Sequence, residues 1–197
     1  PAISFAGITI SFAELESQVA AMAGWLVRGG IAAGDRIAIY ARNHPESFIT
    51  LFAASRIGAM MVPLNWRLSE EELAWQMQDA APAMLLHGAD FADMAARLAQ
   101  TMPSRTIAIG DDLAAARKDY VLAAEDGAGS VDAELLLVYT SGTTGRPKGA
   151  ILDQAAMHAN AAMSHHAYAM AAYDVVLNIL PLFHVGGLNI QPLPALL

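Results

Sequence analysis

Apolar positions along this chain follow two rhythms, every second residue over short runs and every third or fourth over longer ones. Ile3 to Ile10 alternates around Ala6-Gly7, the pattern of a short hairpin. Leu15, Val19, Met22, Ala23 and Leu26 then recur at helical spacing. Ser11 with Glu14 three residues on forms a capping box before that helix, and Gly29-Gly30 ends it. Gly34-Asp35 turns into Arg36-Ile37-Ala38-Ile39-Tyr40, a strand. Asn43-His44-Pro45-Glu46 opens a second helix that runs to about Gly58, and Met60-Met61-Val62 is a short strand closed by Pro63.

The same alternation continues. Ser69 to Glu72 is a second capping box, with Leu73, Met77 and Ala80 carrying its helix to about Pro82. A strand is expected over Ala83 to His87, a helix over Phe91 to Met102, a strand over Thr106 to Ile109 and a helix over Asp111 to Lys118. Strands that alternate with helices imply βαβ units, so the fold class is α/β, with a mainly parallel sheet and helices on both faces. Glu125 to Ser130 reads as a flexible polar connection and the best internal boundary, dividing the chain into 1–130 and 131–197. No internal repeat at a solenoid period is present.

Composition narrows the partners. The 197 residues are 55% hydrophobic and only 15% charged, which excludes a disordered chain. A net charge of -8 without a basic stripe argues against a nucleic-acid binder, so a phosphate ligand must meet local positive charge. The absence of cysteine removes disulfides and thiolate metal sites. Gln154 to Tyr173 and Val175 to Leu197 lack Lys, Arg, Asp and Glu (Asp174 lies between them), but their histidines, prolines and glycines make neither a transmembrane helix. Pro1-Ala2-Ile3 does not open a secretory leader and lacks an initiator methionine, so a trimmed start and a cytoplasmic setting are expected.

The chemistry concentrates between two further strands. The apolar runs Leu135 to Val138 and Ala150 to Leu152 flank Tyr139-Thr140-Ser141-Gly142-Thr143-Thr144-Gly145-Arg146-Pro147-Lys148-Gly149. Glycines let a backbone approach a ligand and turn its N–H groups towards phosphate oxygens. Thr140, Ser141, Thr143 and Thr144 add hydroxyls, and Lys148 and Arg146 add charge. A solvated hairpin turn is the plain alternative, but it needs neither the hydroxyls nor the lysine. The loop is not a Walker A loop, because Lys148 sits between Pro147 and Gly149 and a strand follows in place of a helix.

Thr140 to Gly149 resembles the phosphate-binding signature of the acyl-adenylate-forming (AMP-binding) enzymes, which include acyl-CoA synthetases, peptide-synthetase adenylation domains and luciferases. Gly34-Asp35-Arg36, Asn43-x-Pro45-Glu46, Gly58-Ala59, Val62-Pro63-Leu64-Asn65 and Arg67-Leu68-Ser69-x-x-Glu72-Leu73 are similar to that family's N-terminal region and read as scaffold. Pro181-Leu182-Phe183-His184-Val185-Gly186-Gly187, after an expected strand Val175 to Leu180, resembles the stretch beside the acyl pocket of acyl-CoA synthetases. The resemblance implies that His184 gates or lines the meeting point of carboxylate and acyl tunnel; a core histidine is the alternative. It also implies that Thr140, Ser141, Gly142, Thr143, Thr144, Gly145 and Lys148 hold the β- and γ-phosphates of ATP. Asp153-Gln154 departs from the family's usual hydroxyl residue and histidine, which blurs the subfamily.

The implied reaction joins a carboxylic acid to ATP, releases pyrophosphate, and passes the acyl group to coenzyme A. Magnesium is implied, with its ligands outside this chain. Fatty-acid metabolism is the expected setting, while the particular acid, its chain length or any aromatic preference is not read from the sequence. On this resemblance the chain is the N-terminal part of the large domain of an acyl-CoA synthetase, inactive alone, with 131–197 carrying the phosphate loop and the start of the acyl pocket. Val175 to Leu197 should then be covered by the rest of a longer protein or by a second copy. The alternatives are a stand-alone nucleotide-binding or regulatory module and an amino-acid adenylation domain. His158, His165 and His166 tempt a metal assignment, but His158 and His165 lie two helical turns apart, about 10 Å, which suits a helix bordering a pocket or interface better.

Overall fold

The computed structural model describes residues 1–101, 104–140 and 147–197. Strands β1 (Ile3–Phe5) and β2 (Ile8–Ile10) pair antiparallel as a small separate sheet. Ala6 and Gly7 both have positive φ, 49° and 82°, as a two-residue hairpin turn of the I′ kind requires. Helix α1 (Phe12–Arg28) starts on the expected capping box, with the Ser11 amide donating to Glu14 Oε2 at 2.7 Å and the Glu14 amide to Ser11 Oγ at 3.2 Å.

The main sheet holds β3 (Arg36–Tyr40), β4 (Met60–Pro63), β5 (Met84–His87), β6 (Arg105–Ala108), β7 (Glu134–Thr140) and β8 (Lys148–Asp153). Their spatial order is β6-β5-β3-β4-β7-β8. All neighbours pair parallel except β7 and β8, which form an antiparallel hairpin at one edge. The expected α/β class with a mainly parallel sheet is therefore the observed one.

Alternation along each strand sorts the core into two layers. Ile37 and Ile39 of β3 and Leu136 and Val138 of β7 pack with α1, α2 (Glu46–Ile57), α5 (Asp111–Arg117) and α6 (Gln154–Ala167). Ala38, Tyr40 and Leu137 face the other way, towards Leu73 and Met77 of α3 (Glu70–Ala80) and Leu98 of α4 (Ala92–Thr101). Burying these side chains supplies the main drive for folding. Two short helices, α7 (Val185–Leu188) and α8 (Pro192–Leu196), pack Leu188 and Leu193 into the first layer.

Two local expectations are corrected. Val175 to Leu180 is not a strand: it pairs with neither sheet edge, and Tyr173, Val175, Leu177 and Ile179 stand almost fully exposed, Val175 at 93%. An alternating pattern makes a strand only where a neighbour accepts its hydrogen bonds. The connection over 125–130 is also not a free linker. The Gly129 amide donates to Arg56 O at 2.9 Å, and a Cβ at Gly129 would lie 1.9 Å from Ser55 O. These glycines permit close docking on the last turn of α2.

Candidate functional site

In an open parallel sheet the turns beyond the carboxyl ends of the strands share one edge, and a crevice opens where successive connections leave to opposite faces. Here β3 leads into α2 on one face and its neighbour β4 leads into α3 on the other. The crevice between their ends is flanked by Arg42, Asn43 and His44 on one side and Trp66 and Arg67 on the other.

Pro181 to His184 sits at this crevice. The Asn43 side chain donates from Nδ2 to Leu180 O at 2.8 Å and accepts at Oδ1 from the Leu182 amide at 2.9 Å. Phe183 meets Trp66 edge to face, with ring centroids 6.0 Å apart. The Arg67 guanidinium lies over both rings, 4.8 Å from Trp66 and 5.7 Å from Phe183. Arg42 covers Trp66 from 4.8 Å and reaches Phe91, which packs on Tyr40.

His184 is exposed in this chain. It caps α7, its Nδ1 accepting from the Gly186 amide at 3.0 Å. That bond requires an unprotonated Nδ1 and leaves Nε2 turned to other partners.

One strand beyond β4, β7 leads to the hydroxyl-rich stretch of the sequence. Thr140 ends β7, Lys148 begins β8, and the two are paired across the hairpin. Thr140 Oγ1 also donates to Lys148 O at 3.4 Å. Both residues are exposed, and Lys148 is in no ion pair among the described residues. The hydroxyl and the ammonium that would meet an anion are thus present at the two ends of the loop. Ser141, Gly142, Thr143, Thr144, Gly145 and Arg146 lie outside the described residues.

Just inside the loop, the Tyr139 hydroxyl donates to Asp79 Oδ2 at 2.7 Å, and its ring meets Trp75 edge to face at 5.7 Å. Burial, with the Asp79 hydrogen bond, raises the Tyr139 phenol well above its ordinary pKa of 10, so it remains a donor at physiological pH. Asp79 is itself placed by α3, whose last carbonyls are held by Arg36: Nε donates to Ala80 O at 2.6 Å and Nη2 to Ala81 O at 2.9 Å.

The histidines of α6 stand apart from this edge. His165 Nε2 bonds Pro194 O at 2.8 Å, and no group of three His, Asp or Glu side chains among the described residues is arranged for a metal. His158 and Gln154 line an open groove of about 580 Å³ with Phe12, Phe52 and Val131. That groove lies at the opposite end of β7 from Thr140, so it is separate from the edge that carries Thr140 and Lys148. No helix among the described residues is long and apolar enough to cross a membrane.

Sequence reasoning missed three contributors to the edge. Asn43 had been read as scaffold, and the Tyr139–Asp79 tie and the pairing of Arg42 and Arg67 with Trp66 were not foreseen. The available signal was positional, since Asn43 and Arg67 each follow a predicted strand by a few residues, where ligands of such sheets bind.

In a comparison against protein families, the model for the AMP-binding enzyme matches residues 1–197. The chain belongs to the AMP-binding enzyme family. Among its relatives in that family, the indoleacetate–CoA ligase of Aromatoleum aromaticum is 36% identical over 203 residues, covering 99% of this chain and 40% of the relative. MatB of Rhodopseudomonas palustris, solved with ATP bound, superposes with a TM-score of 0.85 at 29% identity, over 97% of this chain and 39% of that one. The o-succinylbenzoate CoA synthetase MenE of Bacillus subtilis, solved with the acyl-adenylate intermediate OSB-AMP, gives a TM-score of 0.83 at 29% identity, over 99% and 50%. The chain spans about 40% of the length of the curated relatives it matches.

Proposed function

We propose that this chain is the N-terminal part of an AMP-forming acid–thiol ligase, which activates a carboxylic acid with ATP as acyl-AMP and transfers the acyl group to coenzyme A. The observation that carries the reading is the pairing of Thr140 with an exposed Lys148 at the mouth of the hydroxyl-rich loop, in a chain of the AMP-binding family. Two anions, carboxylate and triphosphate, must be brought together, and the leaving pyrophosphate must be held while charge builds on it. Lys148 supplies a point charge and Thr140 a hydroxyl donor for that end of ATP. Magnesium is the expected companion of the ATP phosphates, with its protein ligands expected outside these 197 residues, and no step is assigned to it.

The acid is proposed to be aromatic rather than fatty. Supporting this are the names of relatives, an indoleacetate–CoA ligase and an o-succinylbenzoate CoA synthetase. The setting is proposed to be the cytoplasm, where ATP and coenzyme A are supplied. The 197 residues alone are expected not to turn over; pyrophosphate release by the isolated chain with ATP and aromatic or fatty acids would contradict that.

In the full-length protein, Lys148→Ala should weaken ATP or pyrophosphate binding on the order of tenfold or more, as loss of a charge-assisted contact does. Calorimetry showing unchanged affinity removes Lys148 from the phosphate site. A screen of acids for ATP-dependent thioester formation tests the substrate class, and turnover confined to fatty acids overturns the aromatic assignment.

A further inference from the structure

Asn43 and Leu182 are separated by 139 positions in sequence, yet one side-chain amide satisfies both an acceptor and a donor of the 180–182 backbone. This is the pattern a neighbouring strand would supply, delivered by a single residue. The orientation of the amide follows from its partners, because Leu180 O requires a donor and the Leu182 N–H requires an acceptor. Few side chains can do both. A carboxylate accepts from Leu182 but repels Leu180 O, and a serine is too short to span both.

The clamp matters because little else holds this stretch from the N-terminal side. Among the described residues, Val175 to Ile179 have no strand partner, so position is first imposed there at Leu180 to Leu182. Beyond it the turn is rigid: the His184 amide donates to Pro181 O at 3.2 Å, and a Cβ at Gly187 would lie 2.1 Å from Pro181 O. Leu182 is buried and Phe183 is set against Trp66, which fixes where the exposed His184 follows.

Asn43 is firmly mounted in its turn. The His44 ring accepts at Nδ1 from the Glu46 amide at 3.1 Å, and Glu46 is held by a buried ion pair with Arg117. A positional signal can therefore pass from the start of α2 through Asn43 to the Phe183-His184 turn.

We propose that Asn43 is a positioning residue for acid binding, clamping Leu180 and Leu182 so that Phe183 and His184 stand at the mouth of the crevice. This rests on the ligase reading above. It assigns Asn43 to the acid side of the site and leaves the phosphate side to the loop. The test uses the full-length protein with two readouts. In Asn43→Ala, the peptide containing 180–184 should lose amide-exchange protection while β3 to β5 keep theirs. The KM for the acid should rise about tenfold or more with the KM for ATP unchanged, as expected for two lost hydrogen bonds. Asn43→Asp serves as the second variant and should show a pH signature. Its acid KM should approach the wild-type value as pH falls, because only the protonated carboxyl can donate to Leu180 O while accepting from Leu182.

Unchanged exchange over 180–184 overturns the clamp, and equal rises in both KM values overturn its assignment to the acid. If the wild-type protein forms no thioester with any acid, the ligase reading fails and takes the acid-binding role with it. The exchange readout still decides the clamp in that case.

Discussion

Replacing Arg117 by methionine should unfold this protein more readily than any surface substitution. Arg117 at the end of α5 pairs with Glu46 at the start of α2, and the two side chains are only 6% and 7% exposed. A second contact runs from Nη2 to Glu46 Oε2 at 3.2 Å, and Gln18 of α1 lies at 3.4 Å from the same nitrogen. Arg117→Met keeps the aliphatic stem but leaves a carboxylate buried with no cation. Removing one partner of a buried pair costs about 3–5 kcal/mol, against about 0–1 kcal/mol for an exposed pair. For a domain of this size each kcal/mol lowers Tm by about 2–4 °C, so the fall should be roughly 6–20 °C. The control is the double variant Glu46→Leu with Arg117→Met, in which no charge remains to be solvated; it should recover most of the loss. Far-UV circular dichroism through urea and thermal unfolding measures both. If Arg117→Met costs less than about 1 kcal/mol, or the double variant is as unstable as the single, the pair is not a buried charge couple and the reasoning is wrong.

Three further outcomes are expected. Burial lowers the pKa of His44 below its ordinary 6.5, outweighing the opposing pull of Glu46. The unfolded chain therefore takes up a proton first, and stability should be full above about pH 6.5 and fall as pH drops through the depressed folded value. Urea midpoints against pH read this slope, which His44→Asn should flatten; an equal slope in the variant places the titration elsewhere. Tyr139→Phe removes the bond to Asp79 and should cost about 1 kcal/mol while weakening pyrophosphate binding; calorimetry and unfolding both at wild-type values would make the tie idle. Gly129→Ala forces a methyl group into the Ser55 carbonyl and should cost about 1–3 kcal/mol, so an unaltered urea midpoint would show that the connection is not docked on α2.

What could be read from the sequence was whatever is specified locally. Both capping boxes, the Ala6-Gly7 turn and the two strands that end and begin at Thr140 and Lys148 depend on residues within a few positions of each other, and each was legible. Val175 to Leu180 misled because alternation describes a strand's faces and says nothing of its neighbour. Gly127 and Gly129 misled differently: composition does not distinguish a glycine that frees the chain from one that lets it approach Arg56 and Ser55 closely. Asn43 and Asp79 were silent for a third reason, since their partners lie 137 and 60 positions away.

Strand order explains why these distant partners gather on one functional edge. Because β4 alone separates β3 from β7, the Asn43 turn and Thr140 stand two strand spacings apart, on the order of 10 Å. On the proposed reading, one extended ligand is long enough to touch the Asn43 side and the proposed phosphate side together. The two sides are mounted on opposite layers. Asn43 precedes α2, fixed by Glu46 and Arg117, whereas Tyr139 is tied to α3 through Asp79. Damage to one layer should consequently impair one half of the ligand before the other. Asn43→Ala and Tyr139→Phe should raise different Michaelis constants, and combined they should be additive in free energy, as independent sites are. Strong coupling between them would mean that the crevice responds as one unit and that the division into an acid side and a phosphate side is incorrect.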